Sequence, residues 1–168
     1  RPTHPELLDW LATEFTASGW SVKKMHRLML LSSVYQQSTW NDDSLQKDLK
    51  NVLLGRMNRL RLEGEIIRDS LLAASGRLNR KLGGPSVFPP LPAESAVSEK
   101  TWKASADPAD HVRRSVYIFA RRNLRFPFLE PFDVPDSNQS CPKREQSTTA
   151  PQALALLNSS DVLAAANA

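Results

Sequence analysis

A single cysteine, Cys141, supplies all the thiol chemistry of this 168-residue sequence. One thiol excludes an internal disulfide framework and any multi-cysteine zinc site. A c-type haem attachment needs a Cys-x-x-Cys-His string, and that is absent too. Histidine is scarce: His4, His26 and His111 lie far apart, with no second His or Cys at helical or turn spacing. They read as surface or packed side chains, so the sequence predicts no metal site and no cofactor held by this stretch itself. No apolar run approaches the ~20 residues of a membrane-spanning helix. The six glycines form no phosphate-cradling loop and no Gly-x-Ser-x-Gly elbow. Ser115, Ser140 and Thr148 have no general base beside them in sequence. The chain opens on Arg1-Pro2-Thr3 rather than Met, which predicts a piece of a longer protein.

What is present points to a folded, mildly basic domain. Apolar residues make up 40% of the chain, enough for a core in a protein of this size. Lys and Arg number 22 against 18 acids, for a net charge of +4. Most positive charges therefore have a potential partner, and a solvated surface explains the balance as well as a polyanion does. Nine of the twelve prolines gather at 85–92 and again at 127–151. The chain accordingly reads as one partial domain with a helical part (1–82), an extended and variable loop (83–112), and an Arg/Pro-rich segment with C-terminal helices (113–168). The fold class is mainly α, with long proline-rich irregular loops.

Local signals define the expected helices. Thr3 and Glu6 have capping-box spacing, Pro5 suits a first turn, and Leu7, Leu8, Leu11 and Phe15 mark one face. Gly19 should end this helix, and Ser21 should cap a second, with Trp20 packing on Met25. The two should form a helical hairpin. Asp43 or Ser44 could cap a short helix reaching about Leu54. Asn58–Ser75 reads as a long helix stopped by Gly76. The Pro-rich 83–92 stretch should be extended, and 93–110 a loop of small and polar residues. The 113–123 segment is ambiguous between a buried strand and a helix, and its flanking arginine pairs favour the helix. Thr149 should cap a helix after an irregular 126–147 loop, and the string "NSSDVLAAANA" should restart a last helix.

The residues that could carry chemistry are arginines and carboxylates. Arg113, Arg114, Arg121, Arg122 and Arg125 bracket an aromatic-apolar core of Tyr117, Phe119 and Phe126, and Arg144 follows in the loop. Guanidinium forks beside aromatics suit phosphate, sulfate or carboxylate recognition. They suit equally the bracing of a loop whose carbonyls lack partners. Glu65 and Asp69 share a helix face with Arg61, either as an acid/base pair in a basic cleft or as a ladder of helical ion pairs. Asp133 and Asp136 in "FDVPD" could hold a hard cation, but Asp beside Pro more often bonds its own backbone in a turn. Cys141 has Lys143 and Arg144 nearby, which could activate its thiol; a packed loop cysteine is the simpler account.

Five strings, "HPELLDWLATEF", "GWSVKKMHRLMLLSSVYQQS", "RLRLEGEIIRDSLLAASGRLN", "RRSVYIFARRN" and "FDVPDSNQSCPKREQSTTAPQALALLN", together resemble one bacterial family. It is the C-terminal domain of unknown function 1553 of planctomycete-type secreted proteins, and the likeness covers nearly the whole chain. The matching polar positions include Arg61, Glu63, Glu65, Arg68, Asp69, Arg114, Tyr117, Arg122, Asp133, Cys141, Arg144 and Thr149. Gly64 stands where the family pattern has a small residue, and Leu60 where it has an arginine, which thins the basic row. The resemblance implies an extracytoplasmic (periplasmic or secreted) module downstream of other domains, one of them a cytochrome c-like domain carrying haem c. It supplies no catalytic residues. The expected role is interaction or scaffolding with upstream domains of the same chain. The rivals are a part in binding or processing acidic, perhaps sulfated, polysaccharide, and nucleic-acid binding, which the secretory context disfavours.

Overall fold

The computed structural model describes residues 2–92 and 101–168. It is mainly α: seven α-helices and two 3-10 turns lie among the described residues, with isolated bridges in place of a sheet. The chain divides into two compact units, Arg1–Leu60 and Arg61–Ala168. This division does not follow the compositional parts, because the helix before residue 82 belongs with the C-terminal segments.

The N-terminal unit holds α1 (Pro5–Ala17), α2 (Val22–Leu30) and α3 (Asp42–Lys47). His4, not Thr3, occupies the cap position of α1, and no side chain caps it, so the Thr3/Glu6 capping box does not form. Gly19 takes φ +75° just beyond α1, where a side chain would be strained. Ser21 caps α2 by accepting from the Lys24 N–H at 3.3 Å. Trp20 packs edge-on against Phe15, with ring centroids 5.4 Å apart, rather than on Met25. Asn41, with its side-chain oxygen on the Ser44 N–H at 3.1 Å, is the cap of α3. That helix ends at Lys47, well short of Leu54, because Asn51 and Leu54 both take left-handed backbone that a helix cannot contain. No residue of α1, α2 or α3 is buried.

The C-terminal unit begins in extended chain. Its helix α4 runs only from Gly64 to Ala74, so the expected long helix loses its first turns. Gly64 explains the start. A Cβ there would lie 2.7 Å from that of Phe132, so the helix enters by pressing its backbone against that side chain. Gly76, at φ +70°, follows its end as expected. The 83–92 stretch is extended, and Val87 forms a parallel bridge with Ile118. The expected helix over 113–123 is replaced by a 3-10 turn at Ser115–Tyr117 flanked by bridges at Arg113 and Ile118. A fourth-residue helical ladder would compete there with the bonds Val87 N–H makes to Tyr117 O (2.8 Å) and Phe119 N–H to Val87 O (3.0 Å).

Residues 93–100 of the expected 93–110 loop lie outside the described residues. In the rest, Trp102 is buried, and α5 (Pro108–His111) is capped by Asp107. A second 3-10 turn spans Glu130–Phe132 in the otherwise irregular 126–147 segment. Then follow α6 (Ala150–Asn158), with Thr149 at its cap as expected, and α7 (Ser160–Ala166), capped by Ser159. The buried cluster of this unit is Trp102, Phe126, Phe128, Leu129 and Phe132, with α4, α6 and α7 contributing partly buried residues around it. Its centre is built from irregular chain, not from helix faces.

Gly64→Ala should destabilise the protein by about 1–3 kcal/mol, the range for overpacking a filled site. Urea unfolding checks this, and an unchanged midpoint would mean that Phe132 moves aside freely.

Candidate functional site

Irregular chain leaves carbonyls without a ladder to join, and unpaired buried carbonyls are costly. In both units the missing donors come from buried arginines. In the N-terminal unit, Arg56 Nη1 donates to Ser44 O (3.0 Å), Ser44 Oγ (2.8 Å) and Asp48 O (2.9 Å), and Nη2 to Leu49 O (2.8 Å). Asn51 complements it: its Nδ2 donates to Arg56 O (2.7 Å), and its Oδ1 accepts from Arg56 N–H (3.3 Å).

In the C-terminal unit, Arg68 reaches from α4 to Arg113 O (3.0 Å), Ser115 Oγ (3.2 Å) and His111 O (2.7 Å). Its guanidinium also lies 5.7 Å from the centre of the Phe126 ring, and burial pulls its pKa down. Arg113 is 2% exposed and donates to Gly83 O, Lys81 O (3.3 Å) and Pro85 O (3.4 Å) while lying 4.0 Å from the centre of the Tyr117 ring. A single guanidinium thus holds the glycine- and proline-rich 81–85 stretch against the 113–117 segment. Sequence alone offers Arg113 only as one of five arginines around the aromatic segment, and does not single out Arg56 or Arg68 as sites. Their one signal was proximity to Pro- and Gly-rich chain that needs donors.

The arginines singled out from sequence sit elsewhere. Arg144 forms a bidentate pair with Glu65, at 2.9 and 3.0 Å, and lies 3.1 Å from Glu63. It ties the 126–147 segment to the start of α4, a link spanning 79 positions. Arg114 is exposed, and its Nε lies 3.7 Å from Asp69 Oδ2. Arg121 is exposed and donates to Thr101 O. Arg122 is exposed and makes no ion pair among the described residues.

The carboxylates are mostly committed. Glu65 is bound by Arg144, so the helical ladder with Arg61 does not form; Arg61 instead donates to Thr148 Oγ1 at 2.9 Å. Burial alone would raise the Glu65 carboxyl, but the Arg144 hydrogen bonds and charge outweigh it and hold Glu65 below its ordinary range. Asp69 Oδ1 accepts from the Ser115 N–H at 2.7 Å. Asp133, in left-handed backbone at φ 57°, accepts from Ser147 N–H (2.8 Å), from its hydroxyl (2.7 Å) and from the Gln152 amide (3.3 Å). The Ser147 N–H first, then the hydroxyl and Gln152, keep the Asp133 carboxyl low. Gln152 is 1% exposed, and its Oε1 accepts from the Thr149 N–H at 3.1 Å, so one amide joins Asp133 to the start of α6. Asp136 closes a turn on the Asn138 N–H at 2.9 Å, the local bond that its Pro neighbour predicts. Cys141 is exposed, and its thiol donates to Lys143 O at 3.2 Å. Among the described residues no cluster of three His, Cys, Asp or Glu side chains could hold a metal ion, and no helix is long and apolar enough to cross a membrane.

Around these groups the C-terminal unit forms a groove of about 410 Å³. Glu65, Asp69, Arg114, Arg121 and Arg144 all line it, together with Arg125, above apolar side chains that include Ile118, Phe119 and Phe126. Arg122, Asp133 and Asp136 do not line it. The N-terminal unit carries a larger groove of about 710 Å³, lined by Leu7, Trp10 and Leu11 of α1, Leu28 of α2, and Leu31 and Tyr35 beyond it. Its basic members are Lys24 and Arg27.

A family model, PSD1, described as protein of unknown function (DUF1553), matches residues 1–168. The chain belongs to this family. No curated protein and no solved structure matches it. Within this DUF1553 chain, then, roles must be read from geometry. A carboxyl used for general acid/base work needs a pKa near the operating pH. Glu65 is displaced the other way and clamped by two hydrogen bonds, so it is built to stay ionised.

Two consequences are measurable. Glu65→Gln removes a carboxylate whose folded pKa lies below its unfolded value. Its contribution is therefore complete above about pH 4.3 and is lost as pH falls through the folded pKa. The variant should be less stable at pH 7 by about 1–2 kcal/mol, given the partial exposure of Arg144. Thermal unfolding followed from pH 7 downward should show this gap, and its narrowing as pH falls below about 4.3. Arg113→Met should destabilise by at least about 3 kcal/mol by stranding buried carbonyls. Arg122→Ala should stay within about 0.5 kcal/mol of the wild type. Equal losses from both would contradict the bracing role.

Proposed function

We propose that this DUF1553 domain is an interaction module, a C-terminal scaffold that packs against upstream domains of an extracytoplasmic, cytochrome c-like multidomain protein. The observation that carries the reading is the N-terminal unit's surface. Trp10 is 50% exposed, Leu31 63% and Tyr35 49% along one groove, and among the described residues of this unit only Asn51 and Arg56, both polar, are buried. Soluble surfaces rarely leave contiguous apolar area of this kind uncovered unless it is a contact face. The α1–α2 groove supplies the centre of such a face, and Lys24 and Arg27 at its edge suit a partner with an apolar stripe and acidic flanks.

Scaffolding is also favoured over catalysis by the use made of the charged groups. Arg56, Arg68 and Arg113 are spent on loop carbonyls, and Glu65 is locked as an ion pair. The cytochrome context and location outside the cytoplasm rest on the family resemblance. A gene sequence encoding a signal peptide and a Cys-x-x-Cys-His string ahead of this domain supports them; a cytoplasmic DNA-binding domain there overturns them.

The contact face has its own test. With the upstream domains supplied as a separate chain, the double variant Trp10→Ala/Leu31→Asp should weaken association by about tenfold or more, as loss of central apolar anchors does. Calorimetric titration measures it. Wild-type affinity in the variant would remove the groove from the interface.

A further inference from the structure

We propose that the groove of the C-terminal unit binds an acidic saccharide, one carrying carboxylate or sulfate groups among free hydroxyls. This site is separate from the apolar contact face, and neither proposal depends on the other.

The argument starts from which charges in the groove are already used. Arg144 is saturated by Glu65 and Glu63. Arg125 makes no ion pair among the described residues, although the Asp136 carboxylate, itself bonded to Asn138, lies near enough to feel its charge. Arg121 uses one nitrogen on Thr101 O. Arg114 has only its 3.7 Å contact with Asp69, and its side chain is 50% exposed. These guanidiniums line one cavity and retain planar donor forks that match the paired oxygens of a carboxylate or sulfate.

The other groups narrow the ligand further. Asp69 spends Oδ1 on the Ser115 N–H, while Oδ2 has no hydrogen bond closer than the Arg114 approach. An ionised oxygen beside a guanidinium accepts from a hydroxyl and repels a bare anion. It therefore selects a ligand that brings hydroxyl donors along with its negative charge. Phe119, 39% exposed and stacked on Phe88 with ring centroids 4.9 Å apart, offers a fixed aromatic face to the C–H side of a sugar ring. At about 410 Å³ the cavity falls within the range of small-molecule sites. An acidic peptide would satisfy the arginines but leave the hydroxyl-accepting Asp69 and the Phe119 face without a specific match.

Calorimetric titration of the full chain decides the matter, using tetragalacturonate, a sulfated galactan tetrasaccharide, neutral galactotetraose and tetraglutamate as probes. The proposal expects binding of at least one acidic saccharide, with the first two probes showing whether carboxylate or sulfate is preferred. Neutral galactotetraose and tetraglutamate should bind at least about tenfold more weakly. Arg114→Ala/Arg125→Ala should lower the saccharide affinity by about tenfold or more, and Phe119→Ala should lower it as well. Arg122→Ala, outside the groove, should leave it unchanged. Both Arg114 and Arg125 are exposed, so their loss leaves the fold intact, which circular dichroism verifies. No binding of either acidic saccharide overturns the proposal. So does tighter binding of tetraglutamate, or an equal loss in Arg122→Ala, which would show only the general attraction of a basic surface.

Discussion

Everything in the C-terminal unit depends on guanidinium groups donating to backbone carbonyls. The unit has no sheet among its described residues, and the carbonyls of Lys81, Gly83, Pro85, His111 and Arg113 take donors from arginine side chains instead of a ladder. Arg68 and Arg113 do this by placing several donors at fixed angles inside the protein, with aromatic rings against the faces of their cations. The same solution recurs in the N-terminal unit with Arg56. A guanidinium can serve this purpose because its charge is delocalised and weakly hydrated, so its burial is tolerable once its donors are matched.

The polar links around this centre are long-range in sequence. Arg144 joins its loop to the start of α4, Asp69 fixes the Ser115 turn, and Gln152 couples Asp133 to α6. Each link ties an irregular segment to a helix, at the start of α4, at Asp69 within it, and at the start of α6. The helices act as posts, and the charged residues act as ties. The same ties leave a groove between them in which some guanidiniums remain available.

Much of the helical framework was legible in the sequence because its signals are local. Ser21, Gly76 and Thr149 mark their boundaries through cap chemistry that acts within a few residues. The errors came where a distant partner decided the outcome. Nothing near Gly64 announces that Phe132 will press on it, so the long helix was drawn from Asn58. The flanking arginine pairs of the 113–123 segment favour a helix in sequence because Val87, the bridge partner of Ile118, lies some thirty residues away. The candidate site was half visible. Arg144, Glu65 and Asp69 were singled out by type and spacing, yet the Arg144–Glu65 pairing links segments far apart in sequence. Arg113 stood inside the string under study, but only tertiary structure distinguishes a buried fork from its exposed neighbour Arg114.

The fork at Arg113 also limits how this domain can change over time. Arginine and lysine exchange readily on surfaces where charge alone matters. At Arg113 the carbonyls of Lys81 and Gly83 are reached from Nη2 and that of Pro85 from Nη1, two nitrogens of one rigid plane. A lysine ammonium radiates its donors from a single atom and cannot span them. Arg113→Lys would keep the charge and lose the geometry, so a mutation path through lysine is closed at this position even though it remains open next door at Arg114.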